Sequence, residues 1–167
     1  MGKDVKIFLG MIGFTFLLVV GLAFVQGREK GEPEKFSDVL GLVAKTEYYD
    51  LGDVPINRGI VTKEYEVENN TDKVMKLKKI ATSCMCTKAS FEIEGKKTKF
   101  FGMEGHGDKN PPVNIEIAPQ TQAKVIMQFD PAAHGPQGVG PFDRSVLLTF
   151  SDPKGVKELK FSGKVIN

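Results

Sequence analysis

The stretch "GIVTKEYEVENN", Gly59 to Asn70, decides the fold. Val61, Tyr65 and Val67 alternate with charged residues, and an extended chain sends successive side chains to opposite faces. Asn69-Asn70-Thr71-Asp72 then closes the run with residues that favour turns. The stretch therefore predicts a half-buried strand followed by a tight connection.

The same period continues on both sides. "EYYDLGDV" precedes it, and "KVMKLKKIAT" follows through Val74, Leu77 and Ile80 with one slip that a bulge absorbs. Beyond lie "SFEIEG", "KTKFFG", "VNIEIAP", "QAKVIMQFDP", "RSVLLTFSDP" and "VKELKFSGKVI". Roughly eight short strands with Gly, Pro or Asn between them, and no long helical pattern, predict an all-β sandwich. Upstream, "KFSDVLGLVAK" fits either a short helix or an irregular lead-in.

The N-terminus is different. Ile7 to Val25 runs 19 residues without a charge. At about 1.5 Å per residue such a helix spans most of a ~30 Å hydrocarbon core. A cleaved signal peptide has a shorter apolar region and a small-x-small site, for which Val25 and Gly27 are a poor match. Positive charge sets no orientation, because Lys3 and Lys6 face Arg28, Lys30 and Lys35. The segment lengths do: a short tail at 1–6, a transmembrane signal anchor at 7–26, a Gly-, Pro- and charge-rich linker at 27–44 and a domain at 45–167. The expectation is a single-pass protein of the cell membrane with its domain on the extracytoplasmic side.

Composition narrows the functions. The 167-residue chain carries a net charge of +2, with basic residues interleaved among Asp and Glu, which is a solvated surface rather than a nucleic-acid footprint. It has no Trp, which removes the best base-stacking side chain. No glycine-rich segment ends in Lys-Ser/Thr within a strand-to-helix context, so no phosphate cradle is expected. A cysteine nucleophile would need a recognisable elbow, oxyanion loop or orienting acid, and none is evident, so the chain is not expected to be an enzyme.

The chemistry-bearing residues are few. The two cysteines, Cys84 and Cys86, sit in "SCMCT", and in an extended segment positions i and i+2 point the same way. A disulfide between them would close a very small ring, strained and reducible, and would constrain little of the unfolded chain. As free residues they would be small buried side chains, although thiols outside the cytoplasm tend to oxidise. Both histidines, His106 and His134, lie in long glycine-rich loops, "GMEGHGDKNPP" and "DPAAHGPQGVGPF". Two thiolates and two imidazoles suit zinc or copper, and Met103 offers a thioether of the kind copper(I) favours. The spacings of 20 residues from Cys86 to His106 and a further 28 from His106 to His134 match no finger pattern.

The run from Tyr49 to Phe91 resembles the bacterial domain-of-unknown-function family 1573, in which a strand ending in Asn-x-Thr/Gly leads to a Ser-Cys-Gly-Cys-Thr box. "IAPQTQAKVIMQFDP", "RSVLLTF" and "LKFSGKV" resemble its later strands and its closing Gly-x-Val. Ser83, Cys84, Cys86 and Thr87 match the box, while Met85 stands where the family has glycine, a residue suited to tight turns. The resemblance implies an immunoglobulin-like β-sandwich, often anchored outside the cytoplasm, with no established activity. The main expectation is thus an anchored immunoglobulin-like domain with a copper or zinc site at Cys84, Cys86, His106, His134 and Met103. The alternative is a protein-binding or envelope structural module without metal, its cysteines buried or joined in a disulfide.

Overall fold

The computed structural model describes residues 37–105 and 109–167, together with Gly2, Met11, Ile12, residues 15–17 and Val20. Most of the expected anchor and most of its linker therefore lie outside the described residues. Among the described residues no helix is long and apolar enough to cross a membrane. The chain divides into two compact units, Met1–Lys35 and Phe36–Asn167, and the strands belong to the second.

The strands are β1 (Leu42–Ala44), β2 (Tyr48–Pro55), β3 (Val61–Asn69), β4 (Met75–Thr82) and β5 (Thr87–Ile93). After them come β6 (Lys96–Lys97), β7 (Ile115–Ile117), β8 (Gln122–Phe129), β9 (Gly140–Asp152) and β10 (Lys154–Ile166). One sheet has the order β1-β3-β8-β5-β6 and the other β2-β10-β9-β4-β7. With β1, β3, β8 and β5 in one sheet and β4, β9 and β10 in the other, this is the immunoglobulin-like A-B-E-D and C-F-G arrangement. β2 joins the second sheet as a parallel neighbour of β10.

The stretch from Gly59 to Asn70 forms β3, with Tyr65, Val67 and Asn69 buried and Lys63, Glu64 and Glu66 exposed. The slip anticipated in "KVMKLKKIAT" is real: pairing of β4 with β9 shifts register on both sides of Leu77. Its phase differs from the expectation, because Met75 is buried and Val74 is 40% exposed. Before the bulge the buried set is Met75 and Leu77, and after it Ile80 and Thr82. "KTKFFG" was expected as a strand but yields only the end of β6 and an isolated bridge from Phe101 to Ala89. The ladder stops because the Phe91 amide donates to the Thr98 hydroxyl, at 3.0 Å, instead of to a carbonyl. "KFSDVLGLVAK" resolves into β1 and a bridge between Asp38 and Val156, so the sandwich begins ahead of residue 45. The apolar side chains of Val39 and Leu42 enter the core and draw this lead-in onto the sheets.

The long hairpin of β9 and β10 pairs from Lys154–Ser151 to Val165–Gly140. Gly163 sits where β10 slips against β2, and a Cβ there would lie 2.7 Å from the Gly52 carbonyl oxygen and 2.8 Å from the Phe142 ring. A glycine at this position thus allows a close backbone approach.

Tyr65 is fully buried, and its hydroxyl donates to the Lys160 carbonyl of β10 at 2.8 Å, joining the two sheets. Burial, and secondarily Tyr49, pushes its ionisation well above the usual tyrosine value. The folded state holds this proton more tightly than the unfolded chain does. The Tyr65 contribution is therefore intact below about pH 10 and is lost as pH rises further. Tyr65→Phe is expected to cost about 1 kcal/mol at neutral pH, read from urea unfolding, and to flatten the alkaline decline. An unchanged slope above that pH would show that Tyr65 does not cause it.

Candidate functional site at the Cys84–Cys86 turn

β4 and β5 belong to opposite sheets, and Ser83 to Cys86 carries the chain between them. The segment is a β-turn, with the Thr87 amide donating to the Cys84 carbonyl at 3.1 Å. The Thr82 hydroxyl supports it from below, donating towards the Cys84 and Thr87 carbonyls at 3.1 and 2.9 Å. Ser83 ties it to β9: its amide donates to the Ser145 carbonyl at 3.0 Å and its hydroxyl accepts the Ser145 amide at 2.8 Å. On the other side the Asp130 amide donates to the Cys86 carbonyl at 2.9 Å. Ser83, Cys84, Cys86 and Thr87 of the box are therefore bound into both sheets.

The extended geometry expected for the cysteines is replaced by this turn. Met85 occupies its tip, 51% exposed, and is not among the residues with positive φ. A turn with ordinary backbone angles accepts any L-residue there, so no glycine is required at position 85 of this chain. Cys84 and Cys86 are buried and joined in a disulfide, with Cα atoms 5.3 Å apart, inside the usual range for such bonds. The Cys86 amide also points at Cys84 Sγ, at 3.3 Å.

His134 arrives from the loop after β8. Asp130 starts that loop as a turn, its carboxylate accepting the Ala132 amide at 2.9 Å. Gly135, at φ 59°, and a one-turn 3-10 helix, Gly135–Gly138, fold the segment back. A Cβ on Gly138 would lie 3.0 Å from that of His134. The imidazole Nε2 comes to 3.3 Å from Cys84 Sγ.

Of the five expected ligands, Cys84, Cys86 and His134 converge, their donor atoms all within 4.8 Å of one another. His106 lies outside the described residues. Met103 is half-buried, next to Gly102, whose carbonyl accepts the Thr82 amide at 3.3 Å. In the disulfide the sulfurs have no thiolate to offer a metal, since the thiolate is the ligand form of cysteine.

Beside the turn is an open pocket of about 370 Å³, lined by Cys86, His134, Asp130, Arg144, Phe129 and Phe142 among others. Phe129 and Phe142 stack at 4.5 Å, with Phe161 edge-on to both. Arg144 Nη1 donates to the Asp143 carbonyl at 2.7 Å, while its Nε is buried without a partner. Sequence reasoning missed Asp130, Phe142 and Arg144. Arg144 heads an alternating strand and reads there as a solvent-facing charge, and only the fold of the His134 loop over β9 makes it part of a site.

These features define a two-sheet immunoglobulin-like sandwich with a disulfide turn at the sheet crossover. Residues 42–100 match the model of a family described as protein of unknown function (DUF1573). No curated protein matches the chain. Among solved structures it resembles a protein of unknown function from Porphyromonas gingivalis at 14% identity, with a TM-score of 0.52. That alignment covers 74% of this chain and 46% of the other, so this chain spans less than half of its relative's length. The ASH/PapD-like domain of human CEP192 aligns at 13% identity over 82% of this chain and 93% of that domain, with a TM-score of 0.44. The CooA pilin subunit of enterotoxigenic Escherichia coli aligns at 13% identity over 74% and 95%, with a TM-score of 0.39. At such identities the likeness concerns the fold alone.

Proposed function

We propose that this protein is a single-pass, membrane-anchored module whose immunoglobulin-like domain lies outside the cytoplasm and binds a protein or envelope component without catalysing a reaction. The Cys84–Cys86 disulfide carries the reading, because disulfides persist in oxidising compartments and are rare in the cytosol. The uncharged run from Ile7 to Val25 supports the anchor. The test is a pair of reporters fused after Asn167, one active only outside the cytoplasm and one active only inside. Activity of the first is expected, and activity of the second alone would overturn the assignment.

A second reading is favoured by the convergence of Cys84, Cys86 and His134 within 4.8 Å. Once the disulfide is reduced, two thiolates and one imidazole form a soft donor set suited to copper(I). Structural zinc takes four ligands and is less well served by three. Full-length chain, reduced and exposed to copper(I), is expected to retain about one equivalent by metal analysis, and the Cys84→Ser, Cys86→Ser double variant none. Equal copper in both would dismiss the site.

A further inference from the structure

We propose that the Cys84–Cys86 disulfide exchanges with thiols in a fixed direction: an incoming thiolate attacks Cys86 Sγ from the pocket, and Cys84 leaves beside His134. The inference rests on the disulfide reading above and deepens it by naming the partner class, a dithiol. Exchange depends on which sulfur can be reached and on how well the other sulfur departs as a thiolate. Both conditions separate the two cysteines here.

The route of approach favours Cys86, which lines the pocket next to Arg144 where Cys84 does not, although Cys86 is the more buried of the two, 3% against 8% exposed. The guanidinium supplies positive charge on the approach of an anionic thiolate, and its buried Nε has no partner among the described residues. Departure favours Cys84. Its Sγ has His134 Nε2 at 3.3 Å and the Cys86 backbone N–H at 3.3 Å. The Cys86 N–H, joined by the imidazole N–H in the tautomer that protonates Nε2, stabilises negative charge on that sulfur. Cys86 Sγ has the Thr87 hydroxyl at 3.7 Å, a weaker and longer contact. The two-residue separation also keeps the released Cys84 close enough to close the ring again.

The external thiolate forms a bond to Cys86 Sγ, the Cys86–Cys84 bond breaks, and its electron pair stays on Cys84 Sγ as a thiolate, which takes a proton from water. The second thiolate of the dithiol then displaces Cys86, leaving the protein with two thiols and the partner with one disulfide. Two electrons pass from the dithiol to the protein.

The test uses the full-length chain and monothiols as probes. Protein is mixed with 2-mercaptoethanesulfonate or 2-mercaptoethanol, quenched in acid at intervals, alkylated and mapped by peptide mass spectrometry. The mixed disulfide is expected on Cys86, at least about tenfold over Cys84. His134→Ala is expected to slow exchange about tenfold with the disulfide still formed in the starting protein. Arg144→Gln is expected to slow the anionic probe several-fold and the neutral one little. Adducts on Cys84, or divided evenly, overturn the direction while leaving the disulfide reading in place. Unchanged rates in His134→Ala overturn the role of the imidazole. Two alkylatable thiols before any probe is added would instead remove the disulfide reading and this inference together.

Discussion

Phe161→Ala should destabilise the domain by about 4 kcal/mol, the largest single effect expected here. The Phe161 side chain is fully buried on β10, edge-on to Phe129 at 5.6 Å and to Phe142 at 6.1 Å. Phe129 closes β8 in one sheet and Phe142 opens β9 in the other, so the three rings fill the space between the sheets beneath the pocket. Truncation to alanine removes the transfer free energy of the ring and leaves a cavity that strands pinned on both sides cannot collapse to fill. Urea unfolding of the variant should show a lower midpoint with an unchanged slope. A loss below about 1 kcal/mol would mean that the ring cluster is not a principal support of the sandwich.

Asn69→Ala is expected to cost about 3 kcal/mol although it removes only a small polar group. Asn69 is fully buried, and its amide nitrogen donates to the carbonyls of Lys73, Ile117 and Ala118 at 2.8, 2.9 and 3.1 Å. Its side-chain oxygen accepts the Thr71 amide at 3.2 Å and the Thr71 hydroxyl at 2.6 Å. These bonds join the end of β3 to the turn that follows and to β7 in the opposite sheet. Alanine leaves several buried groups unsatisfied at once, and that desolvation cost exceeds the net value of the bonds themselves. Asn69→Asp should be no better, because a carboxylate accepts but cannot donate to the three carbonyls. An Asn69→Ala midpoint equal to that of the parent would refute the account of the Asn-x-Thr element as a clamp between sheets.

The fold was legible where apolar side chains recur at every second position. Tyr65 and Val67, then Ala123, Val125, Met127 and Phe129, then Val146, Leu148 and Phe150 do so, and each run lies in a strand. It was less legible where non-local contacts decide. Val39 and Leu42 lack a clear period, and only their burial against the sheets makes Leu42–Ala44 a strand. Val74 and Met75 are both apolar, so the pattern alone does not tell which one faces inward across the β4 bulge. "KTKFFG" has a strand-like composition, but a side-chain acceptor from Thr98 interrupts the ladder.

The site was legible in its members more than in its state. Cys84, Cys86 and His134 stand out as rare, chemically able residues in a chain with two cysteines and two histidines. What spacing could not supply is the local backbone: in a strand the sulfurs lie side by side as ligands, whereas in the turn they meet and bond. Nor could it show that the loop after β8 turns back through Gly135 to set His134 beside Cys84, or that Arg144 of β9 borders the same pocket.

The central claim is that Cys84 and Cys86 form a disulfide in the protein as it functions. The chain is to be isolated from cells with the thiols blocked at lysis by iodoacetamide, digested without reductant, and mapped by mass spectrometry. The account predicts one peptide carrying Cys84 and Cys86 unalkylated and lighter by two hydrogens, with both cysteines becoming alkylatable only after reduction. Carbamidomethyl groups on both cysteines in the unreduced sample would contradict it.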